Sequence, residues 1–223
     1  MTVETTSRAA RADHILDVAA ELLNNLGYRR VTVEDIAEAA DIGKGTIYLH
    51  WKTREALFVA VLQREFLATT DQLVAALRVD PYEVLLNRII RRRFQQICHR
   101  PLLSAVYTND SDLLGKLRNS VRSALAPRHR TAFEDYLALL GASGLLRDGI
   151  TPAQASQAFH AILNGFLLTP DADVDLMGGV IAGGLEPAGP EPDASVLRPI
   201  AERAAELFGE LAAADRAVLR SAY

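Results

Sequence analysis

Apolar positions along the chain recur at helical spacing almost from end to end. Ala12, Ile15, Leu16, Ala19, Leu22, Leu23 and Leu26 fall on one face of a first helix, which Gly27 closes. The residues before Ser7 are polar and are expected to be loose. Val33, Ile36, Ala37 and Ala40 mark a short second helix, with Thr32 and Asp35 placed as a capping box. Asp41-Ile42-Gly43 leaves room only for a turn, and Lys44 to Trp51 makes a third helix with Ile47 and Trp51 on its inner face. Thr53 caps a long helix that carries Leu57, Val61, Leu62, Phe66, Leu73 and Leu77 as far as Arg78.

Asp80-Pro81 starts a helix expected to run to His99, Pro101 opens another through Tyr107, and a short segment follows from Asp110 to Arg122. Pro127 is expected to precede a helix with Phe133, Tyr136, Leu137 and Leu140, closed near Gly141 to Gly144. Thr151-Pro152 starts a helix with a broad apolar stripe through Phe159, Ile162, Leu163 and Phe166, and the last helix is expected to begin near Pro199. Between these two, residues 170–197 are rich in Gly, Pro and Asp. They read as a long, partly disordered loop with at most a helical turn near 176–181. No strand, repeat or heptad is visible, so the expected fold is all-α.

The short pair of helices at 31–51 has the geometry of a helix-turn-helix, whose second helix enters the DNA major groove. Gly45, Leu49 and Lys52 point away from Ile47 and Trp51, with Thr46 and Tyr48 flanking them. Gly45 lets backbone approach a base edge or phosphate. Leu49 is either a contact for a thymine methyl group or a lone exposed leucine. Lys44, Lys52 and Arg54 suit phosphates.

Taken together, Thr32-Val33-Glu34-Asp35-Ile36-Ala37, Lys44-Gly45-Thr46-Ile47-Tyr48, His50-Trp51 and Thr53-Arg54-Glu55-Ala56-Leu57 resemble the TetR family of bacterial transcriptional regulators. The resemblance implies that Thr32, Thr46, Tyr48, His50 and Arg54 contact phosphates while Lys44, Gly45 and Leu49 approach base edges. It implies a helix-turn-helix DNA-binding domain over 7–56 and a larger helical ligand-binding and dimerisation domain over 57–223. It further implies a homodimer formed by the two late helices, and repression released by a small organic effector. The sequence departs from the family pattern in three places. Asp41 stands where Gly is usual, Gly43 where a capping Ser is usual, and Arg54 where Lys is common. The wide apolar stripes of the late helices independently call for a partner surface. Phe66, Phe94, Tyr107, Tyr136, His160 and Asn164 are the candidate lining of an apolar effector pocket; the last two and Tyr107 stand out because an internal polar group needs a reason.

Composition narrows the classes. The chain has 223 residues, 49% of them hydrophobic, and a net charge of −4. Its first 56 residues hold seven Lys/Arg against nine Asp/Glu, so DNA binding must rest on a local patch rather than bulk charge. The Arg91-Arg92-Arg93 run cannot form one face, because successive residues turn by about 100°, and it reads as a solvated or salt-bridged surface. Cys98 is the one cysteine and reads as a small buried hydrophobe. No H-E-x-x-H, P-loop, G-x-S-x-G or paired-cysteine pattern appears, and His14, His50, His99, His129 and His160 are scattered. No enzyme, cofactor or metal site is therefore expected. Neither a signal-like apolar stretch nor a membrane span is visible, so a cytoplasmic protein is expected. A helix-turn-helix used for protein contacts is the alternative, which steep salt dependence would distinguish from DNA binding.

Overall fold

The computed structural model describes residues 2–221. They are all-α: α1 (Thr2–Leu26), α2 (Val33–Ala39), α3 (Lys44–His50), α4 (Arg54–Val79), α5 (Leu86–Cys98), α6 (Pro101–Thr108), α7 (Ser111–Leu114), α8 (Leu117–Ala142), α9 (Pro152–Leu167), α10 (Val174–Leu185) and α11 (Ala194–Ser221). They form two compact units. The first contains residues up to Leu67, Pro101–Leu125 and the chain from Ala213 on; the second contains Ala68–Arg100 and Ala126–Ala212. Helices α4, α8 and α11 contribute residues to both.

In the first unit, Ala12, Ile15, Leu16, Ala19 and Leu23 of α1 are fully buried, as their spacing predicts, with Ile36, Ile47, Leu57 and Phe58. Each of the Ile, Leu and Phe side chains among them contributes about 1.5–3 kcal/mol on leaving water. Gly27 ends α1 at φ +76°, and its amide donates to Leu23 O at 3.0 Å. The second unit centres on Leu86, Ile90, Tyr136, Leu137, Leu140, Phe159, Leu163, Met177, Ile181 and Phe208.

Several sequence expectations are corrected. Helix α1 already begins at Thr2 rather than Ser7. The expected loop at 170–197 contains the 12-residue helix α10. Asp173 caps it, its carboxylate accepting from the amides of Asp175 and Leu176 at 2.9 and 3.0 Å. Four glycines, at about 1 kcal/mol each relative to alanine, argue against a helix here, but tertiary packing overrides propensity. Met177, Gly178, Ile181 and Leu185 face inward, and a Cβ on Gly178 would run into the guanidinium of Arg91 on α5. Arg91 donates to Asn87 Oδ1 at 2.6 Å and pairs with Asp175 at 3.4 Å. Asn87 in turn donates twice to the buried Glu186 carboxylate, both bonds at 2.8 Å. Arg147 closes the far end of α10 through Leu185 O and Gly183 O.

The segment at Asp80 is likewise not one helix to His99. A 3₁₀ turn over Pro81–Val84 stops at an extended Leu85, and α5 starts afresh. The break leaves Val84 O free to accept from the Tyr136 hydroxyl at 2.8 Å. Pro127 lies inside α8 rather than before a helix, and α11 begins at Ala194, so that Pro199 falls within it. Cys98 is exposed, not buried. The three successive arginines turn to three different partners as their spacing requires: Arg91 as above, Arg92 to Glu83 at 2.8 Å and Arg93 to Thr69 at 3.0 Å.

Tyr136 makes a testable contribution to this core. Burial, and then the charge of Glu186, hold its phenol well above the ordinary value of 10.0. The folded chain therefore keeps it neutral. Its contribution is complete below the unfolded pKa and is lost as pH rises from about 10 toward the raised folded value. Tyr136→Phe is expected to cost about 1–3 kcal/mol at neutral pH by leaving Val84 O unpaired. Urea melts at pH 7 and pH 11 should show the gap between wild type and variant closing at the higher pH.

Candidate nucleic-acid interface

The capping box that opens α2 is complete. Thr32 sits in extended conformation, its hydroxyl accepts from the Asp35 amide at 3.1 Å, and its own amide donates to Asp35 Oδ2 at 2.7 Å. Those hydrogen bonds, led by the Thr32 amide, hold the Asp35 carboxyl below its usual range. Thr32 is exposed, and its hydroxyl proton remains available to an outside acceptor.

A Schellman motif closes α2. The Ile42 amide donates to Ala37 O at 3.0 Å and the Asp41 amide to Glu38 O at 3.1 Å, with Asp41 at φ +52°. This is the left-handed position at which the family favours glycine, and an aspartate there carries strain. Asp41→Gly is expected to raise the stability of the helix-turn-helix by about 0.5–1 kcal/mol, read as an upward shift in the denaturation midpoint. An unchanged or lowered midpoint would mean that the side chain supports the turn.

Gly43 precedes α3 in extended conformation and gives no side-chain cap. Helix α3 buries Ile47 and turns Lys44, Gly45, Tyr48 and Leu49 outward, with Thr46 half-buried. Leu49 is 69% exposed and Tyr48 39%. A Cβ on Gly45 would meet nothing within 4 Å, so the fold itself does not require glycine there. The Lys44 ammonium is ion-paired with Glu34 of α2. The hydrogen bond between them lowers the Glu34 pKa and raises that of Lys44. Glu34 thus sets where Lys44 stands, a role hidden in the sequence by their separation of ten positions. Lys52 is exposed just beyond the helix.

Two of the expected phosphate contacts are placed otherwise. His50 is buried, its ring 5.3 Å from that of Trp51, because it falls on the inner side of the last turn of α3. Arg54 turns back into its own unit. It donates to Tyr28 O at 2.9 Å and Val31 O at 2.7 Å, and its guanidinium lies 4.2 Å from the Tyr28 ring centroid. Tyr28 carries no motif that would have flagged it.

The six candidate effector residues divide between the units. Phe66 and Tyr107 stand 6.4 Å apart in the first. In the second, Phe94 is buried, and Tyr136 is a fully buried core residue whose hydroxyl is already bonded. The expectation that His160 and Asn164 are internal polar groups does not hold, since both lie on an exposed face of α9. His160 Nδ1 is bonded to Ser156 O at 2.8 Å, and the ring packs edge-on to Phe133 at 5.3 Å. Among the described residues, no helix is long and apolar enough to cross a membrane.

The helix-turn-helix segment is matched by a family profile. Residues 15–61 fit that of bacterial regulatory proteins of the tetR family. The chain is 30% identical over 120 residues to the HTH-type transcriptional repressor KstR2 of Mycolicibacterium smegmatis, a match covering 52% of this chain and 58% of KstR2. In fold it is similar to NalD, the secondary repressor of the MexAB-OprM multidrug efflux pump in Pseudomonas aeruginosa. That likeness has a TM-score of 0.57 and 22% identity, and covers 81% of this chain and 98% of NalD. It is also similar to the transcriptional regulator FadR from Bacillus subtilis, solved in complex with stearoyl-CoA, with a TM-score of 0.53, 19% identity, and 87% and 96% coverage. The relatives it matches are HTH-type transcriptional regulators and repressors. Its capping box and exposed recognition helix lie within residues 15–61, the segment that matches the tetR family of bacterial regulatory proteins.

Proposed function

We propose that the chain is a ligand-responsive repressor that binds a pseudo-palindromic operator in double-stranded DNA as a homodimer and is released by a small, mainly apolar organic effector. The observation that carries this reading is the outer face of α3. Tyr48 and Leu49 stand exposed on a seven-residue helix whose inner residue, Ile47, is buried. A large aromatic and an aliphatic side chain held in water on so short a helix suit base and sugar-phosphate contacts in a major groove. In this reading Lys44, Gly45 and Leu49 approach base edges, while Thr32, Thr46, Tyr48 and Lys52 bind phosphate oxygens. The DNA-binding function is assigned to residues 7–56, and effector binding and dimerisation to 57–223. The site of action is cytoplasmic DNA.

Dimerisation is supported by apolar side chains left half-exposed on the late helices, namely Ile162, Phe166 and Leu167 on α9 and Ile200 and Leu207 on α11. An effector is supported by the FadR likeness and by aromatic side chains such as Phe66, Tyr107 and Phe94. It acts by favouring one state of the dimer, and a coupling of about 1–3 kcal/mol would weaken operator binding about 5–150-fold. The test is selection of duplexes from a random pool with the full chain, followed by titration at two salt concentrations. The expected result is a two-fold symmetric sequence bound with a steep salt slope. Absence of any enriched sequence would overturn the reading.

A further inference from the structure

We propose that Arg54 is a positioning residue rather than a phosphate contact, and that with Tyr28 and the turn at 111–115 it forms a brace that sets the recognition helix. The proposal rests on the DNA-binding reading above and concerns only the first compact unit. One guanidinium nitrogen of Arg54 donates to Tyr28 O at 2.9 Å and to Val31 O at 2.7 Å. The first residue of α4 is thereby tied to the segment between α1 and α2. The guanidinium also lies over the Tyr28 ring at 4.2 Å, with Phe58 at 6.0 Å and the Tyr28 and Phe58 rings edge-to-face at 5.6 Å.

Tyr28 is held in turn from its other side. Its amide donates to Leu113 O at 2.7 Å. A Cβ on Gly115, at φ +53°, would stand 3.3 Å from Tyr28 Cδ1, and a Cβ on Gly27 would stand 3.0 Å from Asp112 O. Both glycines therefore mark close approaches that a larger residue would push apart. The Ser120 hydroxyl, on α8, adds a bond to Glu55, the neighbour of Arg54. Helix α3 hangs between the two points that Arg54 joins. Val31 leads through the Thr32 cap into α2 and the 41–43 turn, while Arg54 follows α3 after Trp51, Lys52 and Thr53. With both ends fixed by short connections, the placement of α3 depends on the distance the brace imposes.

Lysine, the family's common residue here, keeps the charge but lacks the flat face that stacks on a tyrosine ring. Arg54→Lys is therefore the discriminating substitution. The experiment titrates the full chain against the duplex it selects from a random pool, over a range of salt, for wild type, Arg54→Lys, Arg54→Met, Tyr28→Leu, the pair Arg54→Met/Tyr28→Leu, and Lys52→Met. Helical content and thermal melts are recorded for each. A brace predicts that Arg54→Lys and Arg54→Met weaken binding about 10–100-fold with the wild-type salt slope. Tyr28→Leu, which removes no charge, should do the same, and the pair should be clearly less than additive. Lys52→Met should instead lower the slope by about 0.9 per phosphate released. Wild-type affinity in Arg54→Lys, with a reduced slope in Arg54→Met matching that of Lys52→Met, would overturn the brace and restore Arg54 to the phosphates. If Arg54→Met melts, Arg54→Lys and Tyr28→Leu decide alone. A wild-type chain that selects no duplex would defeat the underlying reading itself, an outcome separable from failure of the brace.

Discussion

Replacing Tyr48 by alanine is expected to abolish sequence-selective DNA binding while leaving the fold intact. Tyr48 is 39% exposed on α3, and its side chain does not carry the packing of the helix, which Ile47 supplies from the other side. A good contact at a base edge or phosphate is worth about 1–3 kcal/mol, and the proposed two-fold dimer would make it twice. The loss is then about 2–6 kcal/mol, or 30-fold at the least. Thermal stability should move by no more than about 0.5 kcal/mol, as for a surface substitution. The salt slope should fall slightly if the hydroxyl serves a phosphate and stay fixed if the ring serves a base. Leu49→Ala gives a matched test of the second exposed side chain. Should Leu49 meet a thymine methyl, its truncation and replacement of that thymine by uracil would cost the same, and the two together no more than either. Undiminished selectivity in Tyr48→Ala would remove the recognition role from the outer face of α3.

The helix-turn-helix was legible because everything that defines it is local. The buried face of α2, the Thr32–Asp35 capping box and the Ile47–Trp51 pair are all set by residues three or four apart. Even the strain at Asp41 could be anticipated, since a C-terminal turn of that length demands a left-handed residue. Legibility fails where an element is held from far away. Helix α10 reads as a loop on its four glycines, and it becomes a helix through Arg91, Asn87 and Arg147, residues distant in sequence. Pro127 and Pro199 read as helix starts and instead lie inside helices. The direction of a charged side chain is equally invisible. Lys44 and Arg54 both look like free cations, but one is paired with Glu34 and the other is folded onto Tyr28. Spacing gives the face a residue occupies, and it does not give the partner that captures its head group.

Trp51→Ala is expected to have the largest effect on stability. Trp51 follows α3 in extended conformation, donates its amide to Ile47 O at 2.9 Å and is 3% exposed. Truncating a buried aromatic of this size costs about 3–5 kcal/mol, against a total of about 5–15 for a typical domain. Because the chain forms two compact units, the loss need not appear as a single transition. Hydrogen exchange should show lost protection over 33–50 while residues 86–98 and 152–167 keep theirs. Duplex binding should fall with the folded fraction of the helix-turn-helix. The indole adds a second, opposing term. Among the described residues Trp51 Nε1 is buried without a hydrogen-bond partner, and an unmet buried donor costs about 1–3 kcal/mol. Trp51→Phe removes that donor together with part of the buried area, so the two changes offset each other. It should be within about 1.5 kcal/mol of wild type, far from the alanine variant. If phenylalanine proved as damaging as alanine, the N–H would have to be making a bond in solution. Trp51 would then belong with the polar groups of the DNA-binding face rather than with the core that supports it.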